Sequence, residues 1–187
     1  MLSVLKTSPA NIYKNVEINN LVQALGLPVD ETTCKLTYMP ERLRYGKIVA
    51  AADADPDGFS IENLLFNILW YMCPELILNG HVWSAVPPLY RVTTKKNEYI
   101  YLRGDAELEE YKKTHAAGFT IGRLKGLGEM DSDELSTVLL DKNSRNMLQL
   151  TVNDFGKTDK MFQDLYGRAV GPRVEFLTEH LEEANVD

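Results

Sequence analysis

Asp53, Asp55 and Asp57 stand at alternate positions in the stretch Lys47-Ile48-Val49-Ala50-Ala51-Ala52-Asp53-Ala54-Asp55-Pro56-Asp57-Gly58. In extended backbone, alternate side chains leave the same face, so the three carboxylates would sit side by side. Like charges at that spacing repel, and a fold keeps them most readily around a cation. A hard divalent ion such as Mg2+ takes oxygen ligands of this kind. Pro56 biases Asp55 toward extended backbone and removes one donor from the turn. The apolar residues before Asp53 read as a short strand, which places a candidate metal site at that strand's C-terminal end.

Other chemistries fit this stretch less well. An EF-hand loop counted from Asp53 puts Gly58 correctly at its sixth position, but its twelfth holds Leu64 rather than a bidentate Glu. The residues before Asp53 are also strand-like rather than helical. A phosphatase nucleophile motif would want Thr in place of Asp57. A plain helix cap at Asp57, with turn residues before it, leaves three carboxylates on one edge unexplained. A second stretch, Lys125-Gly126-Leu127-Gly128-Glu129-Met130, joins two glycines to one base and one acid. Such glycines let backbone amides approach a phosphate, although a turn before a helix accounts for them equally. Without a Gly-Lys-Ser/Thr ending it is not a P-loop.

The elements that must position these residues follow from periodicity. Residues 17–25 read as a short helix ended by Gly26 and Pro28, and residues 47–52 as the strand. Ile61, Leu64, Leu65, Ile68, Leu69 and Met72 recur at helical spacing, predicting an amphipathic helix from near Gly58 to near Pro74. The carboxylates thus lie at a strand-to-helix turn, the usual functional edge of an open α/β sheet. Residues 81–86 read as a strand closed by Pro87-Pro88. Residues 89–94 and 98–102 read as a hairpin around Lys95-Lys96-Asn97. Asp105 is the expected N-cap of a charged helix to about Thr114. Residues 119–124 form a strand running into the glycine loop, and Ser132-Asp133-Glu134-Leu135 opens a helix to about Leu140. A short strand falls within 144–152, and the tail from Asp159 to Ala184 reads as two helices broken at Gly171-Pro172. The class is α/β, with a helical C-terminal tail.

Bulk properties bound the possibilities. The 187 residues, 44% hydrophobic and 25% charged, suit one ordinary globular domain, possibly with a small appendage. No apolar run approaches the ~20 residues of a membrane span. Nor does the N-terminus show the long apolar stretch of a signal peptide. Cys34 and Cys73 with scattered His81, His115 and His180 show no zinc spacing, so free thiols in a reducing, cytoplasmic setting are expected. The net charge of −7 argues against a stand-alone nucleic-acid binder. Basic residues nevertheless gather at Lys35, Arg42, Arg44 and Lys47, and again at Arg91, Lys95, Lys96 and Arg103. Glu175, Glu179, Glu182, Glu183 and Asp187 make the end acidic. A polyanion could meet the basic segments, although solvated surface charge explains them as well.

Together, Asp-Ala-Asp-Pro-Asp-Gly, Pro87-Pro88-Leu89-Tyr90 and Lys-Gly-Leu-Gly-Glu-Met resemble the B-subunit side of type II DNA topoisomerases: gyrase, topoisomerase IV and their phage relatives. Leu43-Arg44-Tyr45, Pro74-Glu75, Gly80-His81-Val82, Ser144-Arg145-Asn146-Met147-Leu148 and Gly171-Pro172-Arg173 extend the likeness along nearly the whole chain, in order. The resemblance implies a TOPRIM domain with a mainly parallel sheet flanked by helices. Its core would span residues 47–143, after a lead-in of 1–46 and before the tail of 144–187. It implies Mg2+ held by Asp53, Asp55 and Asp57 with an upstream glutamate, the three aspartates being catalytic through the metal. Asp53 would share the catalytic ion with that glutamate, and Asp55 and Asp57 would hold a second, more movable one. Lys125 would face a phosphate of double-stranded DNA, Gly126 and Gly128 would permit close approach, and Glu129 would sit near the broken base step.

The family's nucleophilic tyrosine belongs to a separate breakage-reunion subunit, and ATP is hydrolysed by an ATPase domain. Tyr45, although beside Arg44, is therefore not taken as a nucleophile, and Trp70, Trp83 and Tyr90 read as core. This chain departs from the family in lacking the Glu-Gly-Asp-Ser box, the Pro-Leu-Arg/Lys-Gly-Lys segment that follows it and any ATPase motif. Phe59-Ser60 replaces the family's Ser-His, and Glu62 replaces a basic residue. The expectation is a metal site incomplete in this chain alone: a fragment, or a subunit of a split enzyme such as the medium-sized subunit of T4-like phage topoisomerases, acting in host cytoplasm. A free-standing TOPRIM primase or nuclease, needing an acidic partner such as Glu17 or Glu41, is the alternative. A third possibility is an assembly module with vestigial carboxylates.

Overall fold

A computed structural model describes residues 2–115 and 117–183. In chain order it contains helices α1 (Pro9–Tyr13) and α2 (Val16–Leu25), strands β1 (Val29–Asp30), β2 (Lys35–Leu36) and β3 (Ile48–Ala50), then α3 (Pro56–Met72) and α4 (Glu75–Leu78). Strands β4 (Val82–Ala85), β5 (Tyr90–Thr94) and β6 (Tyr99–Leu102), helix α5 (Asp105–Thr114) and strand β7 (Phe119–Arg123) follow. The chain continues through α6 (Ser132–Leu135), β8 (Met147–Gln149), α7 (Phe155–Tyr166) and α8 (Gly171–Glu179). The α/β class stands. Among the described residues the parallel pairing is one pair, β3 with β4, while β8 joins β4 antiparallel and β5 pairs antiparallel with both β6 and β7. The mainly parallel sheet was implied by the resemblance; apolar periodicity reports which residues are buried but not which strand lies alongside. No helix among the described residues is long and apolar enough to cross a membrane.

The chain divides into two compact units. One comprises Met1–Lys47, Leu64–His81 and Leu150–Asp187, the other Ile48–Asn63 and Val82–Gln149. In the first, α2 begins at Asn15, whose side chain accepts from the Ile18 amide at 3.1 Å, and ends at Gly26, at φ 74°. That left-handed turn suits glycine, and a Cβ there would meet the Arg44 side chain at 2.9 Å. From Phe66 to Cys73 the chain is buried on nearly every side. Trp70 packs at a tilt against Phe155 and Phe162, with ring centroids 4.8 and 5.9 Å away, and its Nε1–H donates to Asp159 at 3.0 Å. Trp70 is thus core, as expected. Ile61, expected on the buried stripe, is 47% exposed, because the apolar face of α3 is covered only in its second half.

The second unit holds the carboxylates and the glycine loop. Alternation along β5 sorts its two faces. Val92 packs with Leu102 and Leu108 beneath Tyr90, Tyr111 and Phe119, while Arg91 and its cross-strand neighbour Tyr101 point to the other side. A second cluster joins Leu124, Met130 and Val138 with Tyr101, Leu127, Leu135 and Leu139. The hairpin turns at Asn97, whose φ of 59° is tolerated by Asn better than by most residues.

One local expectation is corrected and two are refined. The N-cap position of α5 is Gly104, and Asp105 is its first helical residue, with a carboxylate that accepts from the Tyr90 hydroxyl at 2.5 Å. The tail is two helices as expected, but the break falls at residues 167–170 and Gly171-Pro172 begins α8, since proline lacks only an amide that the first helical turn leaves unused. The helix expected to run to Leu140 does so, α-helical over Ser132–Leu135 and continuing as a wider π-helical turn over Ser136–Leu140. Cys34 and Cys73 are both buried and free. Burial and the nearby Glu75 carboxylate push the Cys73 thiol up to about 12, so it stays protonated.

Candidate functional site

Strand β3 ends at Ala50, and residues 51–55 lead directly into α3. Asp55 closes that helix start: its Oδ1 accepts from the Gly58 amide at 2.6 Å and its carbonyl from the Phe59 amide at 3.0 Å. Pro56 occupies the first helical position, where its fixed φ is already helical, and Asp57 lies in the first turn, where the helix dipole favours a negative charge. The extended alternation therefore stops at Asp55. Asp57 is presented from a helix rather than beside Asp53 and Asp55, a correction caused by the cap and the proline acting together. The helix starts two residues earlier than its apolar stripe indicates.

Gly58 has a steric role invisible in the sequence. A Cβ at this buried position would lie 2.0 Å from the Asp53 carbonyl oxygen, so only glycine lets the first turn fold back over Asp53.

The glycine loop arrives from the other side of the same unit. Strand β7 hands over to Leu124, whose amide donates to the Leu89 carbonyl at 2.8 Å, and Lys125 follows, exposed. The Leu127 amide donates to Asp53 Oδ1 at 2.7 Å across 74 residues of sequence. Gly126 has extended backbone (φ −165°) that any residue could adopt. Its requirement is room, since a Cβ there would lie 2.9 Å from the Asp53 Oδ2 and 3.0 Å from Oδ1. Gly128 has nothing within 4 Å of a would-be Cβ. Glu129 turns back on the loop and accepts from the Lys125 amide at 3.2 Å. Ala54, Pro87, Pro88, Leu124, Gly126 and Met130 line a cavity of only about 10 Å³, so residues of all three sequence motifs meet in one tight seam.

Asp53 and Asp57 are exposed and Asp55 half-buried. Their oxygens suit a hard cation in kind. In number they do not close a shell: among the described residues no three His, Cys, Asp or Glu side chains converge as a metal-holding group. Several cations of the basic segments are engaged internally. Lys35 donates to the Tyr71 carbonyl and lies 3.8 Å from that ring's centroid, Arg44 donates to the Gln23 carbonyl at 3.0 Å, and Arg91 pairs with Glu134. Tyr45 is 57% exposed.

Sequence reasoning passed over the Glu134 cluster. Glu134, 6% exposed, accepts from Arg91 at 2.8 and 3.0 Å, from the Tyr101 hydroxyl at 2.9 Å and from the Asp131 amide at 3.0 Å. Burial alone would raise its pKa, but the bonds from Arg91, the Asp131 amide and Tyr101 outweigh it and hold the carboxyl below its ordinary range. Burial and the bond to Glu134 push the Tyr101 phenol up, and the same partner raises Arg91. One part was legible: Asp131-x-x-Glu134 has capping-box spacing, and both reciprocal bonds form.

A family model described as the DNA gyrase B subunit carboxyl terminus matches residues 116–178. The chain is 38% identical to the DNA gyrase B subunit of Mycoplasmoides gallisepticum, covering 100% of this chain and 28% of that protein. It is 33% identical to the DNA topoisomerase 4 B subunit of Streptococcus pneumoniae, over 97% of this chain and 28% of the relative. The DNA gyrase B subunit of Thermotoga maritima is 34% identical, over 96% of this chain and 28% of the relative. The chain therefore spans little more than a quarter of the length of these relatives.

Proposed function

Related along its whole length to part of the B subunits of type II DNA topoisomerases, this chain is, we propose, the metal-binding and DNA-contacting portion of such an enzyme's cleavage–religation site. The observation that carries the reading is the contact of Asp53 with Gly126 and Leu127, which brings the carboxylate motif and the glycine loop into one site. A TOPRIM fold accommodates this pairing of a strand-end carboxylate with a second strand's loop.

Asp53, Asp55 and Asp57 would hold Mg2+, whose chemistry when bound is to stabilise charge on a phosphodiester. The chain's own groups prepare the carboxylates. The Leu127 amide holds one oxygen of Asp53 and the Gly58 amide one oxygen of Asp55, and the second oxygen of each stays available to an ion. Remaining ligands come from outside the described residues. Lys125, at the loop's exposed start, meets a phosphate of double-stranded DNA, and open space at Gly128 lets the loop backbone approach it. The attacking tyrosine belongs to a partner subunit, ATP is hydrolysed elsewhere in the assembly, and the assembly works in the cytoplasm.

The test is plasmid cleavage by this chain mixed with candidate tyrosine-bearing and ATPase subunits, wild type against Asp55→Asn. Asparagine caps a helix about as well as aspartate, so the variant removes charge while keeping the turn. Mg2+-dependent cleavage by the wild-type mixture, reduced about hundredfold or more in the variant, is the expected result. Equal cleavage by both would reduce this chain to a scaffold.

A further inference from the structure

We propose that Glu134 is a positioning residue for the 125–130 loop, holding the Leu127 amide against Asp53 through an ion pair, buried at its Glu134 end, that ties α6 to the β5–β6 hairpin. The inference rests on the reading of Asp53 as a functional carboxylate.

The loop is anchored to one strand at both ends. On its entry side, β7 pairs with β5 as far as Arg123 opposite Tyr90, and Leu124 then bonds to Leu89. On its exit side, Arg91 of β5 reaches across 43 residues of sequence to both oxygens of Glu134. Tyr101, directly opposite Arg91 in the β5–β6 register, adds a third bond. Only residues 125–133 lie between the two anchors, so the position of Leu127 on Asp53 follows from them.

Capping does not require this network. The Asp131 side chain already accepts from the Asp133 and Glu134 amides at 3.0 and 2.8 Å, which closes the start of α6. A carboxylate buried to this degree is costly unless its oxygens are filled by charged and polar donors. Arg91 and Tyr101 supply them from the β5–β6 hairpin, and the bonds by which Asp131 closes the helix start do not need them. Removing the charge while keeping the volume should therefore loosen the exit anchor and free the Leu127 amide, leaving the β5–β7 ladder in place.

Hydrogen exchange on the whole chain, without metal or DNA, reads this directly for wild type, Glu134→Gln and Tyr101→Phe. The expected result is Leu127 exchange about tenfold faster in Glu134→Gln, a smaller rise in Tyr101→Phe, and unchanged protection along β5 and β7. In the reconstituted cleavage assay, Glu134→Gln should need about tenfold more Mg2+ for half-maximal cleavage, with recovery at saturating Mg2+. Unaltered Leu127 exchange in both variants overturns the proposal. So does protection lost evenly across the unit, since that is a general structural role. If Leu127 loosens as expected while the wild-type mixture cleaves no plasmid, Glu134 keeps its role and the topoisomerase reading is what fails.

Discussion

Asp53 is crowded on two sides by glycine, and each glycine makes a different prediction. Gly58→Ala puts a methyl group against the backbone carbonyl of Asp53, which cannot rotate away. The first turn of α3 must shift, at a cost of about 1–3 kcal/mol typical of overpacking, readable as a lower denaturant midpoint. Gly126→Ala instead meets the Asp53 carboxylate, a side chain that can turn aside. The expected outcome is little loss of stability, with faster Leu127 exchange and weakened Mg2+-dependent cleavage. Gly128→Ala enters open space and should be silent in the free chain, so a defect seen only with DNA would mark it as the point of close approach. The sequence offered Gly126 and Gly128 as equals and Gly58 only as a turn residue near a helix start. Their distinct demands come from what lies across from each, and neighbours along the chain do not report that.

At the scale of elements, the local grammar was readable wherever a cap, a turn or a period acts over a few residues. Gly26 ends α2, the hairpin turns where Lys95-Lys96-Asn97 said it would, and α3 follows Asp53 and Asp55. Two of the misplacements share a cause: proline was read as the break at Gly171-Pro172 and as an extension before Asp57, whereas in both places it opens a helix. The α6 segment carries a pH prediction. The folded Glu134 carboxyl titrates below its ordinary 4.5, so its contribution to stability is fully present above that value. That contribution is lost as pH falls through the lower folded value. Denaturant midpoints of wild type and Glu134→Gln measured from pH 7 downward should therefore differ most at neutral pH and converge in acid. A constant difference across that range would show that the ionised form carries no special stabilisation.

At the scale of the whole molecule, a chain of net charge −7 would, on the proposed reading, meet DNA through local cations rather than overall attraction. Lys125→Ala should then flatten the salt dependence of DNA binding by the assembled complex by about one unit of log–log slope, which a salt titration measures. This chain alone is expected to leave supercoiled plasmid unrelaxed with Mg2+ and ATP, and relaxation without partners would overturn the shared-site reading. The sequence by itself determined the α/β class, the carboxylate-bearing strand-to-helix turn, the glycine loop and the likeness to topoisomerase B subunits, because these are written in residue types, short spacings and motif order. Only the tertiary structure decided that Asp53 takes its hydrogen bond from Leu127 and that Arg91 and Tyr101 fill Glu134. It also decided that Asp57 leaves the extended edge for a helix. The contacts of Asp53 and Glu134 depend on which strands pair and in what register. A hydrophobic period of two or of 3.6 residues states which face is buried but leaves its partner open until the chain has folded.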